Sequence, residues 1–522
     1  AICPHAVIRP FLLSAGELET SPEGFDARKA TGGNTYAGLH FRIQASPLDC
    51  TGCEVCTHAC PTSALTMTPL PKAIESGHEK FWNFAMKVPN RGARFDPFTL
   101  KGSQFQQPLM EFSGACEGCG ETPYAKLITQ MFGKRLIVAN ATGCSSIWGG
   151  TAGWVPYTKD KATGRGVAWG NSLFEDNAEF GLGQFLAVRQ RRLQLKDRVK
   201  AALAKSSAAM TPALRGGLEQ WLEFSDDRAV TEKIAPGLTE LLQAEKAAAP
   251  EIAEVLRLAD LLMKPSMWMF GGDGWANDIG YGGIDHVLAG GHDVKICVFD
   301  TEVYSNTGGQ SSKATPMGAV AKFAQGGRAV QKKDFGALFM KYGNIYVASC
   351  AIGANYKQTV QAFQEAEQYD GPAIVICYSP CIEHRTKTGL SQMSLDQKEA
   401  VECGYWPLYR YNPTLRSSNE NPFQLDGKKL TGDVMKFLIK QNRYAQLARA
   451  APELAEELQA KLSAHLKERH EAMRAQAAAE PAAGKAAAAG TGEQLLILYG
   501  SDTGVTEQLA KKFSGMCVER GL

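Results

Sequence analysis

"FGGDGWANDIGYGG" (270–283) and, a short way on, "VKICVFDTEVYSNTGGQSSKATPMG" (294–318) decide how this chain folds. Each starts in an apolar, β-branched or aromatic run and ends in a glycine-rich turn with polar groups: Asp273 between Gly272 and Gly274, then Thr301 and Asn306. Strands ending in such turns form the edge of a parallel α/β sheet, where ligands gather outside the carboxyl ends. Glycine lets the backbone approach phosphates, and a carboxylate with a hydroxyl and a carbonyl from the next strand end can hold Mg²⁺ against a diphosphate. Gly-Asp-Gly alone is commonly just a turn; the second strand gives it weight.

The same alternation extends outward. "RLIVAN" (135–140), "NIYVAS" (344–349) and "PAIVICYS" (372–379) are short strands between helical stretches, so a parallel-sheet α/β body is expected over 91–465. Residues near 184–263 interrupt it with Ala, Leu, Lys, Arg and Glu at helical spacing, a helical insertion. Residues 1–90 are rich in Cys, Pro and Gly, as in a small metal-stapled domain. An Ala/Gly-rich linker is read over 466–493, and 494–522 begin one more strand, turn and helix.

The composition, 44% hydrophobic and 21% charged over 522 residues, is that of an ordinary globular protein, and a net charge of +2 with no Lys/Arg run argues against nucleic acid. Apolar runs such as "LLILYG" (495–500) are far shorter than the roughly 20 residues that cross a bilayer, so no membrane partner is expected. The 14 cysteines are unevenly spread and partly paired at metal-ligand spacing, which favours a reducing, intracellular setting over disulfides.

Cys50, Cys53 and Cys56 stand as C-x-x-C-x-x-C, with Cys60-Pro61 after them, the spacing of bacterial 4Fe-4S ferredoxins in which the fourth cysteine serves a neighbouring cluster. Zinc competes for C-x-x-C alone, but less well for three cysteines followed by Cys-Pro. Cys3-Pro4 reads as the end of an earlier copy of the motif, so Cys3 is expected to complete the cluster of Cys50, Cys53 and Cys56. Cys60 then serves a second cluster, and the chain is expected to be a fragment with C-x-x-C-x-x-C just upstream of Ala1. Cys116, Cys119, Cys144 and Cys381 sit in turns that can converge at the sheet edge on a third cluster, with Cys403 in reserve; spacing alone does not establish the set. Cys297, Cys350 and Cys377 lie in apolar strands as structural thiols, and Cys517 has no evident role. His5, His58 and His384 adjoin cysteines and read as satisfied loop residues.

Taken together, "GGDGWANDIGYGG" (271–283), "CPHAVIRP" (3–10), "GACEGCGETPY" (114–124), "ATGCSSIWGG" (141–150), "SPCIEH" (379–384) and "GYWPLYRYNP" (404–413) resemble, in order, the pyruvate:ferredoxin (flavodoxin) oxidoreductase family from residue 1 to about 470. The resemblance implies thiamine diphosphate, Mg²⁺ on Asp273, Thr301 and the Val303 carbonyl, Asn306 close to the reacting centre, and a 4Fe-4S cluster on Cys116, Cys119, Cys144 and Cys381. It implies oxidative decarboxylation of pyruvate with coenzyme A to acetyl-CoA and CO₂, in a homodimer of the cytoplasm or a mitochondrion-type organelle. Family members supply a catalytic glutamate and the coenzyme A site from earlier domains, so this chain alone is expected to be inactive.

"LLILYGSDTGVTEQLAKKF" (495–513) resembles the start of a flavodoxin-like domain, in which Ser501, Asp502, Thr503, Gly504, Val505 and Thr506 cradle the FMN phosphate at a helix start. That tail points to the fused form of the family, with FAD and NADP⁺ sites further downstream; ferredoxin or flavodoxin is the other acceptor. Three other readings stand beside this one: a pure electron-transfer module, a non-redox decarboxylase that keeps structural clusters, and an oxidoreductase for another 2-oxoacid.

Overall fold

The computed structural model describes residues 1–151 and 153–480. The expected FMN cradle, Ser501 to Thr506, and Cys517 lie outside the described residues.

Three short strands, β1 (Ile8–Ser14), β2 (Arg28–Lys29) and β3 (Leu39–Ala45), form an antiparallel sheet in the order β1-β3-β2. Pro10 has no N–H to give, and β1 is an edge strand, where that loss is tolerated. Leu13 packs with Phe25, Phe81 and Ala85 in a small core of its own, two of these coming from the helix His78–Ala85. The sheet occupies the interval between Cys3 and Cys50 and brings their ends together: Val7 O accepts from Ser46 N at 3.0 Å.

The main sheet holds β4 (Leu136–Ala141), β5 (Ala168–Ser172), β6 (Ser266–Gly272), β7 (Lys295–Asp300), β8 (Tyr346–Cys350), β9 (Ala373–Tyr378), β10 (Tyr409–Tyr411) and β11 (Phe423–Leu425). Their order is β11-β10-β8-β9-β7-β6-β4-β5, with β4 to β9 parallel and β10 and β11 antiparallel at one edge. Strands β7, β8 and β9 are buried on both faces, which explains their unbroken apolar runs. One core packs on each face; Cys297, Cys350 and Cys377 lie in one of them. The helices Asn177–Ser206, Pro212–Phe224, Arg228–Glu245 and Pro250–Leu256 leave the sheet after β5 and return to β6, with a core of their own around Trp221 and Leu242.

Among the described residues, 414–422 and 478–480 belong to a second unit. Within its described part Asn421 Nδ2 donates to Ala479 O at 3.0 Å.

Candidate active site and thiol cavity

Four adjacent parallel strands end at one edge. Beyond β4 comes Cys144, beyond β6 Asp273, beyond β7 Thr301, and beyond β9 Cys381. This is the edge at which α/β sheets bind ligands.

Asp273 is fully buried, and its Oδ1 accepts from Thr301 N at 3.1 Å and Thr301 Oγ1 at 2.9 Å. Thr301 Oγ1 lies 3.1 Å from Val303 O, so the three expected Mg²⁺ ligands meet. Octahedral Mg²⁺ with oxygens at 2.0–2.1 Å spaces neighbouring ligands about 2.9 Å apart, and the observed separations fit that ion. Ser312 Oγ donates to Asp273 Oδ2 at 2.6 Å and fixes the carboxyl. Burial, and then the Asp300 carboxylate, push Asp273 well above the usual carboxylate range, an effect that a bound cation reverses. Gly274 has to be glycine: a Cβ there would stand 2.3 Å from the Tyr304 ring. Gly272 carries no such restriction, since its Cβ would meet only Phe299 O at 3.9 Å.

The turn after β7 is held from behind. Glu302 adopts φ +62°, a left-handed conformation that costs a non-glycine residue about 1–3 kcal/mol. Its carboxylate is fixed by Lys332 at 3.1 Å, Arg443 at 2.6 Å and the Tyr405 hydroxyl at 2.7 Å. Burial opposes its charge, but Lys332 and Arg443 prevail and hold it at about 2. Lys332 also pairs with Asp300 at 2.8 Å. These contacts fix the bend that sets Val303 O beside Thr301 Oγ1. His384 Nε2 lies 2.7 Å from Thr301 O, and burial brings the ring down to about 3, so it donates as a neutral imidazole. It is a satisfied loop residue, as the sequence suggested.

Cys116, Cys119, Cys144 and Cys381 line one cavity of about 120 Å³ together with Thr301 and Asn306. The thiol turns and the Mg²⁺ corner therefore share a wall. Asn306 is exposed at the rim. Among the described residues no three or more of His, Cys, Asp and Glu converge closely enough for a single ion. A cubane is wider than an ion, and thiols disposed about a volume suit it. Gly120 joins two of the turns: its N–H donates to Pro380 O at 3.2 Å, and a Cβ would lie 2.6 Å from the Pro380 backbone. Burial raises all four thiols, Cys381 to about 12, so they keep their protons until a metal displaces them. Cys403 is elsewhere, packed in the main core with its Sγ 3.6 Å from Ala400 O.

The second thiol group is local. Cys53 and Cys56 are raised by burial first and then by the nearby charges of Cys3 and Cys50, Cys56 to about 11. The four expected ligands thus act on one another across a common space. Cys60 is half-buried, its Sγ accepting from Ala64 N at 3.2 Å, which lowers it. His58 lies 3.8 Å from Glu54, and His5 Nδ1 lies 3.1 Å from Ser113 O.

The sequence reading missed two buried charges. Glu121, on the cavity wall, accepts from Trp148 Nε1 at 2.8 Å, and burial lifts it to about 7. Lys126, one turn further on, is brought by burial to about 8 although the Cys3 charge opposes this. An acid beside a Cys-x-x-Cys turn and a lone lysine in an apolar helix were the available signals.

Fold and site together define a thiamine-diphosphate-type domain, and the family "Thiamine pyrophosphate enzyme, C-terminal TPP binding domain" matches residues 255–377. The chain's strong homologues are pyruvate:NADP⁺ and pyruvate:ferredoxin/flavodoxin oxidoreductases. It is 48% identical over 98% of its length to "Pyruvate dehydrogenase [NADP(+)], mitochondrial" of Euglena gracilis, and 44% identical over 100% to "Pyruvate dehydrogenase [NADP(+)]" of Cryptosporidium parvum. It is 51% identical over 90% of its length to "Pyruvate:ferredoxin oxidoreductase" of Moorella thermoacetica. The chain spans 28%, 30% and 40% of these relatives, respectively.

Proposed function

We propose that this chain is the thiamine-diphosphate and iron–sulfur part of an enzyme that oxidises pyruvate with coenzyme A to acetyl-CoA and CO₂. The observation that carries this reading is the shared wall: Thr301 and Asn306 border the cavity lined by Cys116, Cys119, Cys144 and Cys381. Thiamine diphosphate, when bound, stabilises the carbanion left by decarboxylation. Asp273, Thr301 and Val303 O hold the Mg²⁺ of its diphosphate, and Asn306 lies toward the reacting end. The four cavity thiols hold a 4Fe-4S cluster that accepts electrons one at a time, and residues 1–90 serve as a ferredoxin-type domain carrying them onward. The final acceptor is a fused FMN-bearing reductase and NADP⁺, because the two NADP⁺ relatives align with 98% and 100% of the chain and the ferredoxin relative with 90%.

The test uses the full-length enzyme with thiamine diphosphate, Mg²⁺ and coenzyme A under anaerobic conditions. Pyruvate is expected to reduce the iron and release CO₂. Release of CO₂ with the iron left oxidised would overturn the redox reading, and iron without thiamine-diphosphate binding would leave only an electron-transfer module.

A further inference from the structure

The helix Thr122–Phe132 is buried on every side, and its one basic residue is Lys126, 4% exposed. Its ammonium donates to Cys3 O at 2.9 Å and to Ala1 O. No ion pair with a carboxylate occurs for it among the described residues. Three other buried cations differ, Arg9 pairing with Glu111, Lys295 with Asp293 and Arg443 with Glu302, whereas Arg192, like Lys126, donates to two backbone carbonyls. An ammonium withdrawn from water without a counter-charge costs several kcal/mol. The group whose ionised form favours the Lys126 charge is the Cys3 thiol, and the Cys3 carbonyl accepts directly from the ammonium.

A thiolate-ligated cubane bears net negative charge and gains one more on reduction. A fixed cation against a ligand's backbone stabilises the reduced form more than the oxidised one. The same helix begins three residues after Cys119, so it spans from the cavity thiols to the Cys3 turn.

We propose that Lys126 is a positioning residue that supplies the buried counter-charge for the cluster on Cys3, Cys50, Cys53 and Cys56 and raises its reduction potential, directing electrons from the cavity cluster toward it. The step moves one electron: the cavity cluster is oxidised and the Cys3 cluster reduced. No bond is made or broken, and the ammonium keeps its proton. The inference rests on reading both thiol sets as cluster ligands.

The test is a redox titration of the cluster-loaded full chain, followed by electron paramagnetic resonance and iron analysis, in Lys126→Met, Lys126→Gln and Lys126→Arg. The neutral variants are expected to make reduction of the Cys3 cluster at least tenfold less favourable, about 59 mV for one electron. Lys126→Arg is expected to stay near the parent, and the cavity cluster to move less. If Lys126→Met loses iron, Lys126→Gln decides. Iron lost from both neutral variants but kept in Lys126→Arg supports the counter-charge role. Unshifted potentials with iron retained, or iron lost from Lys126→Arg as well, would overturn it. A parent chain that takes up no iron–sulfur cluster would instead remove the functional reading beneath it.

Discussion

The two thiol groups are built in opposite ways. Cys50, Cys53 and Cys56 occupy a single turn, with Gly52 at φ +76° and Glu54 at φ +62° bending the chain around them, and only Cys3 comes from a distance. Cys144 and Cys381 are placed by the ends of β4 and β9, and Cys116 and Cys119 by the turn before the helix Thr122–Phe132, which Gly120 ties to the Cys381 turn. The first group is a property of a loop. The second is a property of a fold, and damage to distant supports should therefore reach it alone.

The largest effect is expected from Arg443→Met. Removing the guanidinium leaves the buried Glu302 carboxylate to Tyr405 and to Lys332, which also serves Asp300, and costs about 3 kcal/mol, the low end for a broken buried pair. Urea unfolding should show that loss, and Mg²⁺-dependent thiamine-diphosphate binding should weaken with it. Cys53→Ser, in the half-exposed loop, should change stability far less while losing its own iron.

Asp273→Asn comes next. Loss of the carboxylate ligand should weaken Mg²⁺-dependent thiamine-diphosphate binding about 100-fold or more by calorimetry, with iron retained in both thiol groups. Gly120→Val should press the Cys119 and Cys381 turns apart, costing about 1–3 kcal/mol by thermal unfolding and depleting only cavity iron. Equal iron loss from the loop group would erase the contrast.

The smallest effect concerns Asp396, in the helix Met393–Glu402 that follows the Cys381 turn. Burial first, and then Glu399, raise it from 3.8 to about 6. Its contribution is present below the unfolded value and is lost as pH rises through about 6. Asp396→Asn should therefore flatten the fall in stability across that interval and be the more stable form above it, as pH-dependent urea midpoints would show.

How much was legible follows from the same contrast. The turns of Asp273 and Thr301 could be read because strand and glycine signals are local, as is C-x-x-C-x-x-C. The choice between Cys381 and Cys403 could not be made from spacing: it is decided by which turn reaches the edge beyond β9, and only the family resemblance anticipated it. The Glu302–Arg443 pair joins residues 141 positions apart, and nothing near either one signals the other. The sheet β1-β3-β2 was missed as well; one strand contains Pro10, and their alternation is weak. The helix Thr122–Phe132, which links the cavity thiols to Cys3, was not read from the sequence.

The most direct test of the account is iron and acid-labile sulfide analysis with electron paramagnetic resonance of the anaerobically prepared, dithionite-reduced chain, compared with Cys381→Ser. A reduced 4Fe-4S signal that the parent shows and the variant loses, with the loop cluster retained, is the predicted result. Zinc on the four cavity thiols, or a spectrum unchanged by the substitution, would contradict it.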